Sequence, residues 1–209
     1  MNRAFQGGRF IFWMLGAMAA LTAMTAIFLQ QAYRQPMELY EQRVISGQIK
    51  EVWRVATDVN RWPEWDPHEE AGEIFGAFIE GTRGFSKPRG GPGAHWTLTE
   101  VTENRSWSLI NPMRIGTLRV DNRYTQLSDG KVLCEKHMQV SGWVLIALFK
   151  LHFEAATRKD MQATWVALEN RVHALSVRER AILLGLLVTL VEFQKWRTLE
   201  RKLEKLLTN

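Results

Sequence analysis

Apolar and polar positions change rhythm three times along the chain. Phe10 to Leu29 (FIFWMLGAMAALTAMTAIFL) is twenty residues without a formal charge. As a helix it would cover about 30 Å, the depth of a bilayer's hydrocarbon core. From residue 38 the pattern shortens to strand-like runs separated by turn residues, and it later settles into a helical period. Glu38 to Ile45 predicts a first strand, and SGQIKEVWRVATDV turns helical after Ser46, a suitable N-cap. In DVNRWPEWDP (58–67), Pro63 and Pro67 interrupt regular helix and fix the backbone, so Trp62 and Trp65 are presented as rigid apolar plugs. RGFSKPR reads as a strand before the loop GGPG, and AHWTLTEV (94–101) meets RSWSLIN (105–111) through TEN as a hairpin. GTLRVDNRYTQLS and KVLCEKHMQVSGW flank Asp129-Gly130, a two-residue hairpin turn. LHFEAATRKDMQATWVALENRVHAL predicts a long helix whose Phe153, Ala156, Met161, Trp165, Leu168 and Val172 share the buried side.

The two ends differ from this middle. The N-terminal apolar run exceeds the 7–15 residues usual for a signal-peptide core. Its small-x-small cleavage signals are poor, with Leu21 before Ala23 and Met24 before Ala26. A membrane anchor is therefore expected ahead of a cleaved signal or a buried soluble helix. Arg3, Arg9 and the terminal amine precede the run, and Arg34, Arg43 and Lys50 follow it. The positive groups nearest the membrane are on the N-terminal side, which places the N-terminus in the cytoplasm and the domain outside it. At the other end, Ala181 to Leu190 is almost wholly apolar but too short to span a bilayer. Phe193, Trp196, Leu199, Leu203 and Leu206 then mark one helical face. Residues 178–209 carry seven Lys or Arg against four Asp or Glu, a local net of +3. Such a helix can lie in a membrane interface, or it can pack on its own domain or on a second copy.

Composition narrows the class. The 209 residues suit one main domain with appendages, and 46% hydrophobic with 23% charged residues describes a mostly globular chain. A lone cysteine, Cys134, excludes an internal disulfide. The net charge of +5 is spread among acids rather than clustered with aromatics, so no nucleic-acid partner is expected. A membrane surface accounts for the basic surplus at least as well.

Taken in order, IKEVWRVATDVNRWPEWDP, the GxxxEGTRG spacing of GAFIEGTRG, WTLTEVTENRSW, the DG hairpin, VSGW and the closing helix resemble the SRPBCC superfamily. This is the START-like or birch-allergen-like group that includes the polyketide cyclase/dehydrase and lipid-transport branch. The resemblance spans roughly residues 36–175 and divides the chain into an N-terminal membrane anchor (1–34), a START-like domain (35–175) and a C-terminal helical extension (176–209). It implies an α+β helix-grip fold, in which a curved antiparallel sheet wraps a long C-terminal helix around a deep apolar cavity. Trp62 and Trp65 would close one end of that cavity.

No catalytic motif accompanies the resemblance. His68, His95, His137, His152 and His173 form no HxxxH, HExxH or HxH pair, and Cys134 has no CxxC partner, so neither a metal nor a cofactor is expected. There is no GxSxG elbow, and KPRGGPG lacks the GK[ST] ending of a phosphate loop. Strand alternation groups Leu118, Val120, Asn122 and Tyr124 on one face, Trp96 and Leu98 on one, and Ser106, Ser108 and Ile110 on another. With the apolar sets facing inward, the expected cavity lining is Trp62, Trp65, Trp96, Leu98, Leu118, Val120, Asn122, Tyr124 and Trp165, with Asn122 and Tyr124 as its polar groups. Glu135 and His137 share a face of the next strand, and His95 adjoins Trp96; a buried histidine there could act as a general base. The expected function is a membrane-anchored module holding a lipid or other hydrophobic small molecule. A cyclase/dehydrase-type enzyme using His or Tyr, and an interaction module with a filled core, are the alternatives.

Overall fold

The structure, a computed structural model, describes the backbone of residues 3–127 and 130–207 and the side chains of residues 11–127 and 130–197. Helix α1 (Arg3–Ala32) precedes β1 (Met37–Ser46), α2 (Ile49–Thr57), a 3-10 turn (Val59–Arg61) and the short α3 (Trp62–Trp65). Six strands follow: β2 (Glu69–Ile74), β3 (Arg83–Pro88), β4 (Ala94–Thr102), β5 (Ser106–Met113), β6 (Gly116–Gln126) and β7 (Lys131–Ser141). Helix α4 (Trp143–Leu148), a π-helical segment (Phe149–Phe153) and α5 (Glu154–Leu207) close the chain. All seven strands pair antiparallel in one curled sheet of order β1-β7-β6-β5-β4-β3-β2. Register shifts between Glu69 and Ala71 and between Leu98 and Glu100 add the bends that let the sheet curl.

Two sequence expectations shift at the first turn. Ser46 does not cap α2; it remains in the β1 ladder opposite Lys131, and its N–H donates to Glu169 Oε1 at 3.2 Å. Gln48 is the N-cap instead, its N–H donating to Glu51 Oε2 at 3.2 Å in a capping box. The β6–β7 hairpin forms where expected, but Gln126 lies opposite Val132 and the Leu127 N–H donates to the Lys131 carbonyl at 2.8 Å, one residue out of step with a two-residue Asp129-Gly130 turn; Asp129 itself lies outside the described residues.

Two glycines are fixed by close approach. Gly142, the N-cap of α4, adopts φ +93°, and an added Cβ would meet Gly116 Cα and the Ile115 carbonyl at 2.6 Å. The VSGW motif therefore turns the chain from β7 into α4 where only glycine fits. Gly84 lies under the Trp96 ring, where a Cβ would come within 2.2 Å of ring carbon.

Helix α5 is continuous across residue 175, so the closing helix and the extension form one rod of 54 residues, about 80 Å long. Its first part runs alongside β1 in the same direction: Gln162 meets Glu41, and Glu169 meets Arg43 and the Ser46 backbone. Met161, Trp165, Leu168 and Val172 are buried as expected. Phe153 and Ala156 are exposed, because they lie off the stripe set by 161, 165, 168 and 172. Side chains from Ile182 to Trp196 are exposed on every side, which excludes packing of that stretch on its own domain. Leu199, Leu203 and Leu206 have side chains outside the described residues.

From Ile11 onward, helix α1 is likewise unburied. Ile11–Ala32 is long and apolar enough to cross a membrane. Its C-terminal end joins the domain beside α4, where Tyr33 packs on the smaller core and Lys150 Nζ lies 5.6 Å from the Tyr33 ring centroid.

Candidate functional site

Strand parity decides which side chains face α5. Tyr124 pairs with Cys134 and Asn122 with Lys136 across β6 and β7, while Trp107 pairs with Asn122 across β5 and β6. Tyr124, Cys134 and Trp107 belong to the larger buried core, so this register faces inward. The alternate register, with Ser106, Ser108, Asp121, Glu135 and His137, faces outward. There these residues line an open groove of about 440 Å³ together with Tyr40 and Arg119. The groove's charges are matched to one another: Arg119 Nη2 lies 2.7 Å from Asp121 Oδ1, His137 lies near Glu38 and Asp121, and the Tyr40 hydroxyl donates to Glu135 at 2.6 Å.

All nine residues expected to line a cavity lie on the inner side, but they are not equally open. Trp96, Leu98, Asn122, Tyr124 and Trp165 are at most 3% exposed and form packed interior. Trp62, Trp65, Leu118 and Val120 are only half-buried. An aromatic wall connects many of them. The Trp62 ring lies 6.1 Å from Trp96 and 6.2 Å from Trp107, and Phe78 meets Trp107 edge-on at 5.7 Å. Trp53 stands edge-on to Tyr124 at 6.0 Å.

The interior consists of two separate cores. The larger collects residues from α2, β4 to β7 and α5, including Trp165, Leu168 and Val172; the smaller collects Met37, Leu39, Val140, Leu145, Ile146 and Met161. Between them the inward residues of the central strands, Leu118, Val120, Lys136 and Met138, keep accessible surface. That half-buried patch on the concave face is the candidate site.

Its charged groups were not among the expected residues. Lys136 interrupts the inward row Val132, Cys134, Met138, Val140, and its Nζ lies 5.4 Å from the Trp165 ring centroid. Burial pushes this ammonium down from its ordinary value, against the charges of Asp66 and Glu69. Burial, reinforced by Asp66, pushes the Glu69 carboxyl up to about 7, with Lys136 opposing. Asp66 is buried; its Oδ2 accepts from Thr164 Oγ1 at 3.0 Å and its Oδ1 from the His68 N–H at 2.9 Å. His68 Nδ1 lies 3.2 Å from Asp160 Oδ1. The segment after α3 is thereby pinned to α5 at two points, with Glu69 held near Lys136.

The expected general bases are elsewhere. Glu135 and His137 line the outer groove, and His95 is exposed between Phe75 and Phe85, ring centroids 6.2 and 5.1 Å away. Tyr124 is interior, but burial raises its pKa and its hydroxyl accepts from Trp107 Nε1 at 3.2 Å. Burial also pushes the Cys134 thiol up to about 12, which leaves it a poor nucleophile. Among the described residues no group of three or more His, Cys, Asp or Glu side chains is gathered as a metal would require.

No family model matches the chain, and no curated protein matches it. Solved structures do. The Zhui aromatase/cyclase from Streptomyces sp. R1128 superposes with a TM-score of 0.56 at 13% identity, covering 66% of this chain and 94% of that one. Norcoclaurine synthase from Thalictrum flavum gives 0.54 at 12%, covering 67% and 88%. A START superfamily protein from Mycobacterium smegmatis gives 0.51 at 14%, covering 66% and 98%. The chain has the helix-grip fold. In these terms α5 is the gripped helix, and the half-buried patch lies on the sheet's concave side, between the gripping strands and the rod.

Proposed function

We propose that the chain is a membrane-anchored SRPBCC-fold domain that holds a lipid or other hydrophobic small molecule between its sheet and α5. The observation that carries this reading is the accessible apolar surface of Leu118, Val120 and Met138 on the concave face, where a filled core would bury them. Apolar surface lined by aromatics, with a few polar groups set into it, is the usual make-up of a small-molecule site. The anchor is Ile11–Ala32, 22 residues whose most apolar 18-residue window has a mean hydropathy of 1.9 with none of it buried. A domain tethered this way meets membrane-dissolved ligands at high effective concentration. The basic residues Arg3 and Arg9 ahead of the span favour an extracytoplasmic domain.

The test is extraction of the purified chain with organic solvent and mass spectrometry against a mock purification. A co-purifying amphiphile in stoichiometric amount supports the reading, and none above the control counts against it. Pelleting of the full chain with membranes tests the anchor separately.

One observation favours an enzyme as the second reading. Glu69, with a pKa near 7 beside Lys136, is suited to moving protons inside an apolar site. The structural neighbours include an aromatase/cyclase and norcoclaurine synthase. In this reading Glu69 takes the proton-handling role expected of His or Tyr. A different molecule recovered from Glu69→Gln than from the native chain would support turnover; identical extracts would count against it.

A further inference from the structure

A bilayer crossed by α1 would meet one particular end of the domain. Ile11–Ala32 has 22 residues, about 33 Å as a helix, so a hydrocarbon core of about 30 Å is used up by Ala32. Only Tyr33 to Pro36 separate that point from β1, and four residues reach at most about 14 Å. Even this slack is not used. Tyr33 continues the helix, its N–H donating to the Leu29 carbonyl at 2.9 Å, and its ring packs on the smaller core with Lys150 Nζ 5.6 Å away. The lipid surface would therefore lie against the elements beside Tyr33: α4, the π-helical segment and the β5–β6 turn. That turn is held to α4 where Gly142 lies against Ile115 and Gly116, and Gly116 against Leu145.

These elements expose apolar and basic side chains together. Leu148, Leu151 and Phe153 are 39%, 71% and 53% exposed within a stretch of six residues, and Ile115 in the β5–β6 turn is 42% exposed. Single exposed apolar residues are ordinary on a soluble surface, but a group of them at one end marks an interaction site. Residues 30–37, 112–118 and 142–153 carry Arg34, Arg114, Lys150 and His152 and no acid. The acids that flank them in sequence are engaged: Glu38 with Gln139 and His137, Asp121 with Arg119, and Glu154 with Arg158. Among the described residues no carboxylate pairs with Arg34, Arg114 or Lys150. Apolar side chains rimmed by free cations complement hydrocarbon beneath anionic headgroups.

We propose that this end of the domain docks on the bilayer that α1 crosses, with Ile115, Leu148, Leu151 and Phe153 entering the interface and Arg114 and Lys150 meeting anionic headgroups. This rests on the anchor of the reading above and adds a second, non-spanning contact that sets the domain's posture. The opposite end, with α2 and the β4–β5 turn, then faces away from the lipid.

The test places an environment-sensitive fluorophore at Ile115→Cys in the full chain. The chain is reconstituted in vesicles of phosphatidylcholine and phosphatidylglycerol, with or without nitroxide-bearing lipid. Cys134 is buried, which leaves the introduced thiol as the labelling site. The nitroxide is expected to quench this label, while a label at Glu103→Cys in the β4–β5 turn keeps its emission. Adding Leu151→Ser is expected to lower the docked-to-free ratio about tenfold, the scale of one apolar side chain returned to water. Lys150→Gln is expected to lower it about fivefold, and to change nothing in phosphatidylcholine alone. Vesicle flotation reads the anchor separately. A chain that floats with an unquenched Ile115→Cys label overturns the docking and leaves the anchor standing; a chain that does not float overturns both. Equal quenching at positions 115 and 103 overturns the posture, and a label shifted to the blue without quenching assigns the face to a protein instead. Thermal melts check folding, and if Ile115→Cys does not fold, a label at Phe153→Cys decides by the same outcomes.

Discussion

The two halves of α5 are one helix under two regimes. Before residue 175, apolar residues recur at Met161, Trp165, Leu168 and Val172, and each is at most 3% exposed. From Ile182 to Val191, apolar residues occupy nearly every position, and Ile182, Leu186 and Leu190 are all more than 50% exposed. The richer half is the unburied one. Apolar content alone does not fix burial; a stripe at the helical period needs a single surface, whereas an all-round run needs surroundings that are apolar on every side.

The sharpest way to break this contrast is to trim a leucine in each half. Leu168→Ala should destabilise the domain by about 2–5 kcal/mol in denaturant unfolding. Leu186→Ala should change it by less than about 0.5 kcal/mol, and a comparable loss in both would mean that the second half is also packed.

The second test uses pH, because a titrating acid sits close to the buried half. Glu69 titrates near 7 in the folded chain against an ordinary 4.5. The folded state therefore holds the extra proton between those values, and stability should fall as pH rises through that window, by up to about 3 kcal/mol. Glu69→Gln should flatten this slope, and ending the chain after Glu179 should leave it intact. A slope that survives Glu69→Gln would assign it to another group.

Gly84→Ala then probes the wall facing the buried half. Its Cβ would press on the Trp96 ring, and a cost of about 1–3 kcal/mol is expected from chemical denaturation. The smallest effect belongs where the two halves join. Arg54 and Glu179 pair at 2.7 Å, but both are about half exposed. Arg54→Ala should cost no more than about 0.5 kcal/mol, and less at high salt.

Much of the fold was legible because its strands alternate and its turns carry their own residues. β1 and the β4–β5 and β6–β7 hairpins fall within a residue or two of their expected places. β2 was not legible: EEAGEI has no alternation, and a bulge breaks its register. The candidate site was half legible. The nine expected residues lie on the inner side, five buried and four half-buried, yet the charged groups Lys136, Glu69 and Asp66 were missed. Lys136 was findable, as a single charge in the alternating row Val132, Cys134, Met138, Val140. Asp66 and Glu69 were not, because each lies beside Pro67 or at the bulge, where sequence spacing says nothing about direction. The boundary drawn at Ser176 came from composition; α5 runs through it, and no glycine or proline lies there to end the helix.

Tyr33 joins the domain where β1 begins, and α5 departs where β1 ends, beside Arg54. The two unclothed helices thus leave from opposite ends of a single edge strand, α5 along that strand's own direction. A partner or bilayer that received both would have to reach both ends of the strand, and the domain would lose its freedom to swivel on one stalk.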